Sequence, residues 1–548
     1  MKQPSTISEY LISRLADYGV GHVFGVPGDY VLQFFQQLEN SPLQVINTCD
    51  EQGAGFAADA YARLRGLGVV CVTYCVGGLK IANTTAQAFA EKSPLVVISG
   101  SPGLNERHHN PLLHHKVRDF DTQLNIFRHL TVAATDLIDI ENGCCEIDRV
   151  LAAAVRHKRP VYIELPRDLT GTVCSCSRNP LPQAAGSDPH ALREALAETV
   201  RRISDAKRPM LVAGIEIQRF GLQRPFMQLA EATGIPFATT PLSKSTLSED
   251  HPLFVGVYEG AVGKEQARQA VEQSDCLLML GTFMTDVNLG IFTANLDQAL
   301  TISSSSEGSS IAFHQYPDVL LDDFVSGLLD QDLPQRALDV RPSAAALPPF
   351  AAQDKPITIA RLFEYLESFI DDHIALLADP GEAMFAAADL TIRHPAAFLS
   401  PAYYTSMGFA VPGAIGAQLA RPDLRPLVLV GDGAFQMTGM EISTAARFGL
   451  SPIVVVLNNG GYGTERPMTD GGFNDIPAWR YSRLPEVIGA GQGFEVFTEQ
   501  DFDRALKAAM ERTDTPTILD VHIDPNDHSP ALKRLTDALG AKVRSSGK

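Results

Sequence analysis

The sequence predicts an α/β fold made of three doubly wound parallel-sheet domains. The first observation is the length of 548 residues, which corresponds to roughly three or four domains. The second is the alternation of short β-branched runs with longer helical patterns, which is typical of strand–helix–strand units with a parallel sheet. The third is a pair of linker-like stretches near 172–190 and 332–357, rich in proline, alanine and serine. We therefore expect domains at 1–175, 190–335 and 355–548.

Composition excludes several classes of function. With 45% hydrophobic and 20% charged residues, the chain is an ordinary globular protein with no apolar run long enough to span a membrane. Its 45 basic and 64 acidic residues give a net charge of −19, which disfavours nucleic acids and anionic membrane surfaces as partners. The N-terminus MKQPSTISEY lacks an apolar secretion signal, and none of the eight cysteines forms a C-x-x-C pair. We therefore expect a cytoplasmic protein with reduced cysteines.

Each segment contains its own set of predicted strands and helices. The first contains the strand runs HVFGV, VVCVTY, PLVVISG and PVYIEL and the helical stretches EQGAGFAADAYARL and KIANTTAQAFAEK. The middle contains PMLVAGI, IPFATT and CLLMLGT, and its polar patch at 303–310 predicts a loop. The third contains RPLVLVGDG, the helical stretch FQMTGMEISTAARFGL, PIVVVLNN and PTILDVHI.

The ends of two strands in the third segment predict a metal and phosphate site. Asp432, between Gly431 and Gly433, ends one strand, and Asn459 ends the next. A right-handed crossover places both ends at one edge of the sheet, where α/β proteins bind ligands. The flanking glycines leave backbone N–H groups free for phosphate oxygens, and the carboxylate, the amide and the Gly461 carbonyl suit Mg²⁺. Taken singly, each motif is more often a plain turn or loop than a ligand site.

Together these motifs resemble those of a known family. GDG followed after twenty-five residues by NN is the thiamine diphosphate motif, and it occurs here with VFGVPGDY, CDEQGAGFAADAYAR, LLHH, SMGFAVPGAIGAQ and LNNGGYGTE. The whole chain therefore resembles the pyruvate, indolepyruvate and phenylpyruvate decarboxylase group of thiamine-diphosphate enzymes. The resemblance implies a pyrimidine-binding, a central and a diphosphate-binding domain, with thiamine diphosphate and Mg²⁺ as cofactors.

The resemblance also implies a set of catalytic side chains. The residue matching Glu51 hydrogen-bonds a pyrimidine nitrogen and so activates the cofactor, although a glutamate here is also an ordinary helix-start residue. Those matching Asp29, His114 and His115 form a proton relay. Taken alone, Asp29 reads as a helix N-cap, and adjacent histidines on a helix or strand point apart, which disfavours chelation by both. Glu465 is expected to be a buried carboxyl that donates a proton after carbon dioxide leaves.

Further residues are assigned by the same resemblance. Met407 supports the bent cofactor, although a methionine in an apolar loop is more often plain core, and the Thr405 carbonyl accepts from its amino group. The implied cofactor-binding residues are Glu51, Gly381, Thr405, Met407, Gly431, Asp432, Gly433, Ala434 and Asn459, and the implied metal ligands are Asp432, Asn459 and Gly461. The implied substrate pocket consists of Pro380, Met384, Phe385, Thr464 and Met468. Pro380, Met384, Thr464 and Met468 are smaller or more flexible than the matching residues of pyruvate-specialised members, which favours a roomier pocket.

The resemblance thus implies a carboxy-lyase that converts a 2-keto acid to an aldehyde and carbon dioxide, and the residues of the implied pocket favour an aromatic or branched substrate. Pyruvate decarboxylase and a carboligase of the acetohydroxyacid synthase type are the alternatives within the cofactor group. A regulatory protein without catalysis would have lost the catalytic set, which is present. The resemblance implies a homodimer or a dimer of dimers (a homotetramer), with active sites between chains and a small-molecule 2-keto acid as partner.

Overall fold

Three β-sheets of six or seven strands organise the described part of the chain, and each takes its strands from one of three consecutive stretches of sequence. The structure is a computed structural model that describes residues 5–174, 181, 186–336 and 350–537. The two predicted linkers, 172–190 and 332–357, lie partly outside the described residues, and the domain boundaries stay predictions. Within the described ranges, no helix is both long enough and apolar enough to cross a membrane.

The first sheet is parallel throughout, with the strand order β3-β2-β4-β5-β7-β6. Its strands are β2 (His22–Gly25), β3 (Gln44–Asn47), β4 (Gly68–Val72), β5 (Leu95–Ser101), β6 (Ala133–Asp136) and β7 (Val161–Pro166), and β1 (Ser5–Thr6) pairs separately with β8 (Val173–Cys174). Its helices are α1 (Ile7–Asp17), α2 (Leu32–Glu39), α3 (Glu51–Arg65), α4 (Ala82–Ala90), α5 (Thr122–Leu130) and α6 (Gly143–His157). The central strands β4 and β5 are fully buried, as expected for a sheet covered by helices on both faces.

The middle sheet has the order β11-β10-β9-β12-β13-β14-β15 and is mixed. Its strands are β9 (Pro209–Ala213), β10 (Phe237–Thr239), β11 (Phe254–Val257), β12 (Cys276–Leu280), β13 (Thr301–Ser305), β14 (Gly308–Ile311) and β15 (His314–Tyr316). Its helices are α7 (Pro189–Asp205), α8 (Ile215–Arg219), α9 (Gln223–Thr233), α10 (Glu265–Glu272) and α11 (Leu321–Leu329).

The third sheet is parallel, with the order β17-β16-β18-β19-β21-β20. Its strands are β16 (Ile374–Ala378), β17 (Phe398–Leu399), β18 (Arg425–Gly431), β19 (Ile453–Asn458), β20 (Gln492–Val496) and β21 (Thr517–His522). Its helices are α12 (Ile359–Phe369), α13 (Glu382–Ala388), α14 (Ala410–Ala420), α15 (Asp432–Thr438), α16 (Ile442–Arg447), α17 (Leu484–Ile488) and α18 (Glu499–Glu511).

Helices α3 and α14 join the first and third domains within the chain. Both are rich in alanine and glycine, and a Cβ at Gly416 would lie 1.9 Å from the carbonyl oxygen of Ala57. Only glycine permits so close an approach of the two backbones. The start of α3, at Glu51, is therefore held against the third domain of its own chain.

The predicted fold class is confirmed, and two local predictions are wrong. The polar patch at 303–310 is not a loop, because β13 and β14 form an antiparallel hairpin there. Its buried serines satisfy one another, with Ser309 Oγ donating to Ser304 Oγ at 2.7 Å, so a strand forms without an apolar run. The helix predicted after Asp432 is interrupted by a 3₁₀ turn at Gly439–Glu441.

Candidate active site

The two predicted strand ends meet at the carboxyl edge of the third sheet. Strands β18 and β19 are parallel neighbours, with Gly431 opposite Leu457. Asp432 begins α15, and its side chain accepts N–H groups from Gly433 at 2.8 Å and from Gly460 at 2.7 Å. Burial raises the pKa of the Asp432 carboxyl to about 6, although these N–H groups oppose the shift. A cation at this carboxylate would favour its charged form.

A cavity of about 480 Å³ opens beside Asp432. It is lined by Pro380, Gly381, Glu382, Ala383, Met384, Phe385, Thr405, Met407, Gly431, Asp432, Gly433, Ala434, Leu457, Asn459, Gly461, Tyr462, Gly463, Thr464, Glu465 and Leu535. Three potential oxygen donors for a hard cation share its wall, namely the Asp432 carboxylate, the Asn459 amide and the Gly461 carbonyl. A Cβ at Gly433 would lie 2.6 Å from the Tyr462 ring, so glycine leaves this wall open. The donor set and the cavity suit a diphosphate held together with Mg²⁺.

The loop that carries Thr405 and Met407 is fixed at both ends by buried carboxylates. Glu91 accepts the N–H groups of Tyr403 and Tyr404 at 2.8 and 2.9 Å. Asp379 accepts those of Gly408 and Ala410, both at 2.8 Å.

The anchoring of this loop fixes the conformation of Thr405 and Met407. Thr405 has a positive φ of 54°, a conformation that L-residues rarely adopt unless their surroundings impose it. Met407 packs partly buried against the third-domain core. The loop therefore presents both residues to the cavity in a fixed conformation.

Glu51 is the first residue of α3, and its surroundings come from three elements. Asp50 caps the helix by accepting the N–H of Gln52. Glu441 of the third domain accepts the N–H groups of Cys49 and Asp50 at 3.2 and 3.1 Å, so it fixes the turn before Glu51. Lys80 forms ion pairs with both Asp50 and Glu51.

Asp29, His114 and His115 lie together, with potential ligand atoms within 4.8 Å of one another. His114 Nε2 is 2.7 Å from Asp29 Oδ2, and Tyr30 stacks on the His114 ring at 4.8 Å between centroids. The expectation that adjacent histidines point apart applies to a helix or a strand, and here the two histidines occupy a turn in which His115 has a φ of 66°. In this turn one ring nitrogen of each histidine lies within 4.8 Å of an oxygen of the Asp29 carboxylate.

The structure separates the predicted site residues into two groups. Within the described part of the chain, every cavity-lining residue comes from the third domain or from the segment that follows β21. Glu51, Asp29 and the histidine pair of the first domain are not among them. Glu465 lines the cavity and is exposed in the single chain, so its burial stays a prediction, and Met468 is 51% exposed and does not line the cavity. A surface that approaches this mouth would bury Glu465.

Some contributors to the site were not predicted from the sequence. Leu535 comes from the helical segment 530–537, while Asp379 and Glu91 act through long-range hydrogen bonds. Such contacts leave no periodic signal in a sequence. Glu441, in contrast, lies within the predicted helical stretch FQMTGMEISTAARFGL and Tyr462 lies within the motif LNNGGYGTE, so their positions were a usable signal.

Comparison with known proteins agrees with this geometry. Three family models of the thiamine pyrophosphate enzymes match the chain. The N-terminal TPP binding domain matches residues 5–123, the central domain matches 196–317, and the C-terminal TPP binding domain matches 379–521. An indole-3-pyruvate decarboxylase of Azospirillum brasilense is 35% identical over 519 residues, covering 92% of each chain. An alpha-keto-acid decarboxylase of Mycobacterium ulcerans (strain Agy99) is 33% identical over 97% of this chain and 96% of the relative. One of Mycobacterium tuberculosis (strain ATCC 25618 / H37Rv) is 34% identical over 94% of both chains.

Proposed function

This chain belongs to the thiamine pyrophosphate enzymes, in the group of 2-keto acid decarboxylases, and we propose that it converts an aromatic or branched 2-keto acid to an aldehyde and carbon dioxide. The observation that carries the proposal is the cavity of about 480 Å³, which brings Asp432, Asn459 and Gly461 onto one wall with Met407 and Glu465 nearby. When bound, thiamine diphosphate supplies the electron sink that decarboxylation needs.

Asp432, Asn459 and the Gly461 carbonyl would hold Mg²⁺, a cation that would neutralise the charge of the cofactor's diphosphate. The N–H groups of Gly433 and Ala434, at the start of α15, would add donors to phosphate oxygens. Met407 would support the cofactor, and the Thr405 carbonyl would accept a hydrogen bond from the cofactor's amino group. Gly381, whose φ of 108° favours glycine, lets the chain turn at the cavity wall.

Each group of acidic and basic side chains would take part in a different proton transfer. Glu51 would hold a proton against a ring nitrogen of the cofactor. Asp29, His114 and His115 would move protons above the reacting carbon, a task suited to histidine near neutral pH. Glu465, at the cavity mouth, would donate the proton that completes the aldehyde.

The pocket favours a substrate larger than pyruvate. Met384, Phe385 and Leu535 give the cavity an apolar side, and no tryptophan lines it among the described residues. An apolar, water-poor pocket disfavours the charged carboxylate of the substrate relative to the less charged transition state. The decarboxylases of indole-3-pyruvate and alpha-keto acids that this chain resembles support the same substrate class.

We further propose a homodimer or a dimer of dimers in the cytoplasm, with each active site completed by a neighbouring chain. The support is that Glu51, Asp29 and the histidine pair lie outside the cavity of their own chain. The first domain of one protomer would then cover the third-domain cavity of its partner and bury Glu465.

The test is a panel of 2-keto acids incubated with full-length enzyme, thiamine diphosphate and Mg²⁺. Aldehyde and carbon dioxide in equal amounts support the proposal, with Glu51→Gln as the inactive control. Acyloin or acetohydroxy acid as the main product would identify a carboligase instead, and a kcat/KM that is highest for pyruvate would identify a pyruvate decarboxylase. A sedimentation measurement that found only monomer under turnover conditions would contradict the shared site.

A further inference from the structure

Three carboxylates lie close together where α3 begins, and a single lysine forms ion pairs with two of them. Asp50 and Glu51 begin the helix, and Glu441 approaches the same turn from the third domain. Lys80, in the short 3₁₀ turn Leu79–Ile81, reaches back to Asp50 and Glu51. In the described part of the chain, Lys80 is the partner in every ion pair found for these two residues.

The contact between Lys80 and Glu51 is made to one particular oxygen of the carboxylate. Lys80 Nζ lies 2.8 Å from Oε2 of Glu51, whose side chain is only 13% exposed. Among the described residues, no side chain or backbone group hydrogen-bonds to the other oxygen, Oε1. An ammonium that holds one carboxylate oxygen fixes the torsion of the side chain and leaves the second oxygen free to engage a ligand.

The segment that carries Lys80 is itself hydrogen-bonded to the loop that carries Thr405 and Met407. Three residues further along, Asn83 Nδ2 donates to Ser406 Oγ at 2.7 Å, between Thr405 and Met407. The start of α4 is therefore tied to the third domain, and the turn that carries Lys80 directly precedes this anchored helix.

We propose that Lys80 is a positioning residue that anchors one oxygen of Glu51, so that the other oxygen is presented to the cofactor's pyrimidine ring. The inference rests on the proposed role of Glu51 and adds a residue to it. Asp50 acts as the second anchor of Lys80, because the ammonium is shared between the two carboxylates. Lys80 itself is not a catalytic residue, since it acts through Glu51.

The decisive measurement is binding of thiamine diphosphate with Mg²⁺ to cofactor-free, full-length enzyme by titration calorimetry. Lys80→Met is expected to weaken this binding by about threefold to fivefold, the upper part of the range for one partly exposed ion pair. Lys80→Arg, which keeps a cation, should restore most of it. The matched control is Lys507→Met, which removes the exposed pair between Lys507 and Asp503 on α18 and should leave binding unchanged.

A double-mutant cycle ties the effect to Glu51. In a Glu51→Gln background, Lys80→Met should change the binding constant less than twofold, because the carboxylate it positions is gone. An equal loss in both backgrounds, or no loss in the wild-type background, would overturn the proposal. If Lys80→Met does not fold, Lys80→Gln is measured in its place against the same criteria.

Failure of this inference is distinguishable from failure of the proposed function. If Glu51→Gln abolishes aldehyde formation while the cycle shows no coupling, only the role of Lys80 is refuted. If Glu51→Gln retains full decarboxylation, the assignment of Glu51 is refuted, and the binding cycle then reports only on a local ion pair.

Discussion

Nε2 of His114 lies 2.7 Å from Oδ2 of Asp29, and the two residues come from segments 85 positions apart. The Arg167 guanidinium is 3.5 Å from the same carboxylate oxygen. Tyr30, which follows Asp29 in sequence, covers the His114 ring. The imidazole is thus oriented by a carboxylate on its edge and an aromatic ring on its face.

Asp29→Asn should lower kcat by about 10²-fold, within the range for a positioned acid–base group. The amide keeps the shape but removes the negative charge that orients His114. The measurement is steady-state aldehyde formation with a verified fold by circular dichroism. His108→Gln, an exposed histidine nearby in the same stretch, is the control and should keep wild-type kinetics. An Asp29→Asn enzyme with unchanged kcat would contradict the relay.

Removal of the divalent metal should release the cofactor. Asp432 accepts two backbone N–H groups, which stabilise a carboxylate ready to receive a cation. We expect dialysis against EDTA to remove thiamine diphosphate together with activity, and added Mg²⁺ with cofactor to restore activity. Asp432→Asn should retain no cofactor after gel filtration, whereas Asp514→Asn, an exposed position, should retain it. Full retention of cofactor by Asp432→Asn would exclude this metal site.

The Asp379 carboxyl should make the free energy of unfolding depend on pH. Burial raises the pKa of its carboxyl to about 7, and the N–H groups of Ala410 and Gly408 only partly oppose this. The folded chain therefore binds a proton that the unfolded chain has lost between about pH 4 and about pH 7. The stability contributed by this group is present below that window and decreases as the pH rises through it.

The measurement is urea unfolding of the wild type and Asp379→Asn at about pH 5 and about pH 8. The difference in the free energy of unfolding between the two pH values should be smaller in the variant, because the asparagine does not titrate. Asp514→Asn serves as the exposed control and should leave the pH dependence unchanged. A pH dependence identical in the wild type and Asp379→Asn would show that the carboxyl has an ordinary pKa.

The parts of the site that the sequence predicted are those that local pattern determines. Asp432 and Asn459 follow buried β-branched strands, and parallel neighbours bring such strand ends together without further information. The hydrogen bonds from Asp379 to Gly408 and from Glu91 to Tyr403 join residues far apart in sequence, so no periodicity announces them. The shared orientation of the two histidines depends on the positive φ of His115, which is not a glycine and gives no sequence signal.

The preference between large and small 2-keto acids should depend on the volume of the side chain at position 384. Its side chain is buried and lines the cavity, so Met384→Trp would fill space needed by an aromatic or branched substrate. Excess volume in a packed site costs about 1–3 kcal/mol, which corresponds to a loss of roughly fivefold to 150-fold. We therefore expect kcat/KM for phenylpyruvate to fall relative to pyruvate by that factor. Met384→Leu conserves volume and should keep the wild-type ratio, and a ratio unchanged by tryptophan would show that the substrate side chain lies elsewhere in the cavity.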